Sequence, residues 1–384
     1  MRILVLLTDA YGGRGGIAKF NRDLLGALCT HPEVEDVVAL PRVVFDPVEA
    51  VPEGLDYRLE ATGGLRSYLA ALWRALRRPH AAYDLVLCAH LNLLPFAAFA
   101  AWRTGAKLLL TLHGIEAWEP PEKWTRRALT TVALPHVDQV VAVSAFTRRR
   151  FGAWSGVPAE RIAVVPNCVD ASGYGTGPKR SDLLRRYGLE GRRILLTLAR
   201  LPEFERYKGV DEVLEVLGDL VREDPDLRYL VVGDGDDRPR LEQKAEGLGV
   251  RDLVTFAGYV PEDEKADHYR LADAFVMPSR GEGFGIVYLE AMACGIPVVA
   301  SSADASREAV RDGALGHVVD PADLESVKAG VRAALAEAAA GPPRVPDGLA
   351  YFSHDAFVER WHGVLDHLAP MPSAPSPPAL QPAS

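Results

Sequence analysis

The chain is poor in cysteine, and what it has is scattered: Cys29, Cys88, Cys168 and Cys294 are the four in 384 residues. No two stand two residues apart, so the spacing of a zinc site or a redox dithiol is missing, and the four read as reduced core thiols of a cytoplasmic protein. Long hydrophobic runs are missing too. The longest apolar region, Leu85 to Trp102, is broken by His90, Asn92 and Pro95 and falls short of an uninterrupted membrane span. The opening MRILVLLTDAYGG is too short an apolar stretch for a signal peptide and is cut by Asp9; it reads as a first strand. No transmembrane anchor is expected. Nor is there a positive excess: 43 Lys and Arg face 52 Asp and Glu, a net charge of −9, and no nucleic-acid partner is expected. That sum hides an asymmetry, since residues 1–180 carry 21 basic against 17 acidic residues and the remainder 22 against 35. A basic front half invites an anionic partner or membrane surface, and scattered solvated charge is the alternative.

What is present is a soluble globular composition, 48% hydrophobic and 25% charged, and enough length for two domains. Short β-branched or leucine-rich runs alternate with helical patterns. Ile3–Leu7, Val37–Leu40, Leu85–Ala89, Leu108–Leu112 and Val140–Val143 are the strands expected in the first half. Ile194–Leu198, Tyr229–Val232, Val254–Phe256, Phe275–Met277 and Val298–Ala300 follow in the second. This alternation predicts parallel sheets with crossover helices. The polar, Gly- and Ser-rich stretch Val169 to Asp182 reads as a linker, and the reading divides the chain into 1–169, 170–350, a last helix over 351–368 that could pack back on the first domain, and a disordered Pro-, Ala- and Ser-rich tail over 369–384.

The densest chemistry lies in SRGEGFGIVYLEAMACGIPVVAS, Ser279 to Ser301. Gly283-Phe284-Gly285 makes a bend ahead of an apolar helix beginning near Ile286, which offers free backbone N–H groups and the positive end of a helix dipole to a phosphate or sugar hydroxyl. Glu282 before the bend and Glu290 within the helix can each accept hydrogen bonds from a polyol, although two acids near a helix start also serve as caps. The strand–loop–helix–strand order puts this loop at the carboxyl edge of a sheet, where open α/β folds hold their ligands.

With its two glutamates at that interval, the stretch resembles the donor-site motif of retaining glycosyltransferases of family 4, which have the GT-B fold. Upstream, LARLPEFERYKGVDEVLEVL resembles the family's Gly-Arg-Leu…Glu-Lys-Gly segment, with Ala199 in place of the usual Gly and an Arg-to-Lys interval of eight residues. The resemblance implies that Arg200 and Lys208 hold the diphosphate of a nucleotide sugar, that Glu282 orients the sugar and that Glu290 holds the ribose. Cations aimed at a departing diphosphate stabilise charge that grows in the transition state. Asp234-Gly235-Asp236 could be read as a metal-binding acid pair, but its place after a strand favours a turn whose acids bond local backbone. The resemblance implies no metal and no cofactor.

In TDAYGGRGGIAKF, glycines 12, 13, 15 and 16 separate a strand from a helix expected near Ile17. The stretch also fits a dinucleotide fingerprint, yet the acid required at the end of the second strand is replaced by Pro41-Arg42. The resemblance assigns Gly15 and Gly16 to the cleft floor facing the donor diphosphate, and His113, at a strand end, to the donor sugar or reacting centre.

From Gly63, GGLRSYLAALWRALRRPHAAY sets Leu65, Tyr68, Leu69, Leu72, Trp73 and Leu76 at helical spacing among Arg66, Arg74, Arg77 and Arg78. Such a helix could lie on an anionic membrane or pack on its own sheet. The expectation is therefore an α/β protein of GT-B architecture, two Rossmann-like domains facing across a cleft. It would move a hexosyl unit from a nucleotide diphosphate sugar to a sugar or lipid-linked sugar acceptor at the inner face of a membrane. A nucleotide-sugar epimerase or hydrolase, and a non-catalytic nucleotide-sugar binding subunit, remain the other readings.

Overall fold

The structure, a computed structural model, describes residues 1–48, 50–77 and 83–368; the tail read at 369–384 and Arg78 lie outside them. The first half holds strands β1 (Arg2–Leu7), β2 (Asp36–Pro41), β3 (Leu55–Tyr57), β4 (Leu85–Cys88), β5 (Lys107–Leu112), β6 (Gln139–Ala142) and β7 (Ile162–Val164). Its helices are α1 (Gly15–Cys29), α2 (Leu65–Leu76), α3 (Leu94–Thr104), α4 (Ile115–Trp118), α5 (Trp124–Ala133) and α6 (Ala145–Ser155). The second half holds β8 (Arg193–Leu198), β9 (Leu227–Val232), β10 (Val254–Gly258), β11 (Ala274–Val276), β12 (Val298–Ser301) and β13 (His317–Val319). With them run α7 (Ser181–Tyr187), α8 (Val210–Glu223), α9 (Arg238–Gly247), α10 (Lys265–Arg270), α11 (Ile286–Ala293), α12 (Ser306–Ala309), α13 (Leu324–Ala339) and α14 (His354–Leu368).

Each half builds one parallel sheet, in the orders β3-β2-β1-β4-β5-β6-β7 and β10-β9-β8-β11-β12-β13. In both, the first strand of the half lies inside the sheet: Ile3 of β1 pairs with Val37 and with Leu85, and Leu195 of β8 with Tyr229 and with Ala274. The direction of winding therefore reverses between β1 and β4, and again between β8 and β11. The crevice outside the carboxyl ends of such strand pairs is the ligand position of open α/β sheets. The Gly-rich loop after β1, the segment from Ala199 after β8 and the Ser279–Gly285 bend after β11 all leave from these ends.

The strands expected from sequence are present within one or two residues at their ends, but β3 and β7 were missed. Each is three residues long with two or fewer large apolar side chains, too little pattern for a period to register. Helix α1 begins at Gly15 rather than near Ile17.

The sheets are covered on both faces. On one face of the first, the inner residues of α2, α3 and α5 share a core with Leu4, Val38, Val86 and Leu110. On the other face α1 and α14 meet, with Phe20 edge-on to Phe357 at 5.7 Å and to Trp361 at 6.3 Å. That core continues without a break into the second half through Phe284, Tyr288, Leu289 and Phe352. The last helix of the chain thus returns to the first half, and burying the Trp361, Phe357 and Leu365 side chains is what secures it there. The stretch read as a linker is itself tied down: Arg270 donates to the carbonyls of Tyr174 and Gly175, and the Gly175 N–H donates to Ala293.

Candidate active site

Lys208 and Glu282, from the loops after β8 and β11, form a direct ion pair, and both side chains are largely buried. Arg200 is paired with Glu205, whose other carboxylate oxygen lies 3.9 Å from the Lys208 ammonium. The four residues make one chain of alternating charge at the second sheet's point of reversal. Arg200, at 67% exposed, is its open end. Burial by itself would depress the Lys208 ammonium, but Glu282, Tyr207 and Glu205 outweigh it and hold its pKa above the usual lysine value. Glu205 Oε2 is buried and has no hydrogen bond. Sequence reading missed Glu205; the signal available was its place three residues before Lys208, on the same turn.

The Gly283-Phe284-Gly285 bend leads into α11 as expected. Gly285 caps the helix at φ 88°, a conformation glycine adopts without strain. Among the described residues, the backbone N–H groups of Phe284, Gly285, Ile286 and Val287 carry no hydrogen bond. The Phe284 ring turns away into the core, edge-on to Phe352 at 5.5 Å, so that residue offers a ligand its backbone alone. Across the gap, a Cβ added to Gly16 would lie 3.9 Å from the end of the Ile286 side chain, which sets the start of α1 against the start of α11. Gly15 has open space around it.

Gly283 is pressed against the other half of the molecule. A Cβ there would fall 1.8 Å from the carbonyl oxygen of His113, so only glycine fits. His113 reaches the cleft at the end of β5, edge-on to Phe20 at 4.8 Å, with Nε2 2.8 Å from the Ala89 carbonyl. A carbonyl only accepts, so Nε2 carries a proton and donates to it. Nearby, burial holds His90 neutral with its pKa lowered to about 4, and its Nδ1 accepts from the Asn92 N–H. Burial also raises the carboxyl of Asp9, beneath the Gly-rich loop.

Glu290 is not joined to the Lys208–Glu282 pair. It is 1% exposed, accepts from the Tyr269 hydroxyl at 2.8 Å and lies 3.3 Å from Lys265. Arg200, Lys208 and Glu282 are brought together, then, while Glu290 heads a second network further along α11. Lys265 and Tyr269 come from α10, and nothing in the local spacing of the motif announces them.

The Glu282 loop is held by Asp304, a fully buried carboxylate that accepts from the Ser279 hydroxyl and the Glu282 N–H, both at 2.7 Å. Asp234 bonds local backbone as the turn reading expected, accepting from the Gly235 N–H at 3.0 Å, whereas Asp236 reaches across to the loop after β8 and accepts from the Glu203 N–H at 2.6 Å. Among the described residues no group of three or more His, Cys, Asp or Glu is arranged to hold a metal ion.

Two family models match, "Glycosyl transferases group 1" over residues 181–341 and "Glycosyltransferase Family 4" over residues 14–172. The GDP-mannose-dependent alpha-(1-6)-phosphatidylinositol monomannoside mannosyltransferase of Mycolicibacterium smegmatis is 35% identical over 250 residues, 62% of this chain and 63% of that one. A D-inositol 3-phosphate glycosyltransferase of Thermobispora bispora is 32% identical over 304 residues, 74% of this chain and 70% of the other. The match thus spans less than two thirds of the length of the first relative. Among solved structures, Anabaena Alr3699/HepE in complex with UDP and glucose superposes with a TM-score of 0.73 at 23% identity, covering 95% of this chain and 99% of that one. Sucrose-phosphate synthase from Thermosynechococcus elongatus gives 0.74 at 20% identity, covering 96% and 99%. These likenesses establish the two-sheet GT-B fold.

Proposed function

We propose, from the premise that this chain belongs to glycosyltransferase family 4, that it transfers a hexosyl unit from a nucleotide diphosphate sugar to an acceptor hydroxyl with retention of configuration. The observation that carries the reading is the convergence of Arg200, Lys208 and Glu282 on the unpaired N–H groups at the start of α11, opposite Gly15, Gly16 and His113. A leaving diphosphate gathers negative charge as the sugar departs, and two cations with a helix N-terminus are suited to hold it. In this reading Glu282 orients the sugar hydroxyls and the departing diphosphate itself takes the acceptor proton, so no protein nucleophile and no metal are called for. Residues 170–350 form the donor half of this reading and residues 1–169 the acceptor half.

GDP-mannose and UDP-hexoses are the donors we consider, the first because the mycobacterial relative is named for it. The deciding experiment is a donor panel read by thermal shift, since a ligand that binds only the folded state raises the melting temperature with concentration. Nucleotide release and anomeric product analysis with and without acceptor and chelator follow. Release without an acceptor would make it a hydrolase; binding without release would make it a binding subunit; loss of turnover with chelator would restore a metal.

The acceptor we favour is a lipid-linked sugar at an anionic membrane. The sequence left α2 between membrane and sheet, and its two rows divide the roles: Tyr68, Leu72 and Leu76 are buried on the sheet, while Leu65, Leu69 and Trp73 are exposed. Next to it, α3 exposes Phe99 and Trp102, the latter 77%, and α5 exposes Trp124, Leu129 and Val132, with Trp124 at 79%. These three helices carry Arg66, Arg74, Arg103, Arg126 and Arg127 and no acidic residue. Aromatic and aliphatic side chains among arginines suit the boundary between headgroups and acyl chains. No described helix is long and apolar enough to cross a membrane. Sedimentation with phosphatidylglycerol-containing vesicles at low salt tests the surface, and failure to sediment removes it from the reading.

A further inference from the structure

We infer that Glu308 is a positioning residue of this reaction: its carboxylate latches the two halves of the molecule together and, through the segment it belongs to, sets the backbone of Glu282. The inference rests on the transfer reaction proposed above. Glu308 lies in α12, in the second half, yet its Oε2 accepts from the N–H of Ala145 and its Oε1 from the N–H of Phe146, both at 2.7 Å. Those are the first two donors of α6, an eleven-residue helix of the first half. A helix leaves its first N–H groups without internal partners, and a carboxylate there also meets the positive end of the dipole. Ser144 serves the third donor of the same turn, accepting from Thr147 N–H at 3.0 Å. The cap of α6 is therefore assembled from two places, and the larger part arrives only when the halves are closed.

The same segment governs Glu282. Ala305 N–H donates to the Glu282 carbonyl at 3.1 Å, and Asp304 accepts from the Glu282 N–H. Asp304 in turn accepts from Ser306 N–H at 2.9 Å, which ties that carboxylate to the first residue of α12. Both polar groups of the Glu282 backbone are thus held by the turn that presents Glu308. On the far side of Glu282, Gly283 abuts the His113 carbonyl of the first half. Engaging Glu308 on α6, seating Gly283 on His113 and aligning Glu282 with Lys208 are one geometric event. Donor that bound the second half alone, with the latch open, would not meet His113, and the segment that holds Glu282 would lack its anchor on the first half.

The test compares wild type with Glu308→Ala and with Glu308→Gln, which keeps an accepting oxygen but loses the charge. Steady-state kinetics, melting temperature and small-angle X-ray scattering in the presence of GDP or UDP are the readouts. For Glu308→Ala we expect kcat to fall roughly tenfold to a hundredfold, as for loss of a charge-assisted contact that gates closure. The donor KM should stay within about twofold, because closure follows donor binding in this scheme. Glu308→Gln should recover part of the loss, and the nucleotide-bound radius of gyration should exceed wild type in the order Ala, Gln. A kcat within twofold of wild type, or a loss matched by the same loss of nucleotide affinity, would overturn the inference. Should no donor support transfer, the family reaction fails separately; the scattering comparison still decides the latch, since equal compactness of wild type and Glu308→Ala with nucleotide would end it.

Discussion

Lys208 and Glu282, 74 residues apart in sequence, neutralise each other in a direct ion pair at the mouth of the cleft. In the proposed transfer the pair is the pivot of the site, the cation serving the diphosphate and the carboxylate the sugar. A donor must therefore replace, at least in part, the contacts that these side chains make with each other and with Glu205.

Breaking the pair from one side should harm both folding and turnover. Lys208→Met leaves the Glu282 carboxylate without its cation and Glu205 with Arg200 alone, and losing one member of a well-buried pair costs about 3–5 kcal/mol, less here because both side chains keep some exposure. Activity should drop on the order of a hundredfold or more. The Lys208→Met/Glu282→Gln double variant should regain stability in urea unfolding without regaining kcat; recovery of both would remove Lys208 from the chemistry.

Glu290 and Tyr269 should behave as a unit. Tyr269→Phe removes the hydroxyl that fixes Glu290 Oε2, and Glu290→Ala removes the carboxylate. If the carboxylate holds the nucleotide ribose, each variant raises the donor KM several-fold while kcat changes little, and the double variant is no worse than Glu290→Ala alone. A pure loss of thermal stability with unaltered KM would restrict Glu290 to packing.

Gly283→Ala is a steric test of closure. Its new methyl would occupy the space of the His113 carbonyl oxygen, a backbone atom that no rotamer change can move aside. Turnover should fall by about a hundredfold or more, since misplacement of about 1 Å at a reacting centre already costs that much. Nucleotide binding measured by calorimetry should fall less than turnover, because the atoms the new methyl meets, those of His113 and Gly114, belong to the first half.

His90 predicts an acid limb in the stability curve. Burial lowers its pKa to about 4 from the ordinary 6.5, so the unfolded chain takes up the proton first as the pH falls. The stabilisation is fully present above pH 6.5 and is lost progressively down to pH 4, a loss of about 3 kcal/mol at one pKa unit per 1.36 kcal/mol. His90→Asn, whose side-chain oxygen can still accept from Asn92 N–H, should flatten the stability–pH profile over that interval.

Trp361→Ala removes the largest fully buried side chain of α14, where it packs on Phe20 and Phe357. A loss of about 3–5 kcal/mol in denaturant unfolding is expected for such a cavity. A value under about 1 kcal/mol would mean that the last helix is not secured by this contact.

The sequence by itself determined the alternation of strands and helices and the glycine bend that leads into α11. Buried parallel strands need continuous apolar runs such as Ile3–Leu7 and Ile194–Leu198, and a glycine bend ahead of a helix is a local chemical statement at Gly283-Phe284-Gly285. Local pattern also foretold that Asp234 would bond its own turn, but not that Asp236 would accept from the Glu203 N–H, 33 residues earlier. What it could not contain was any partner supplied from far along the chain. Asp304 beneath Glu282, Lys265 and Tyr269 around Glu290, and Glu308 on α6 carry no mark in sequence, because an acid or a tyrosine in a polar stretch looks the same whether it meets solvent or a distant backbone. Tertiary structure alone decided these pairings, since only the folded sheets bring groups from 21 residues apart, as for Tyr269 and Glu290, to 163 apart, as for Ala145 and Glu308, within hydrogen-bond distance. Only there does a buried charge find the partner it must have.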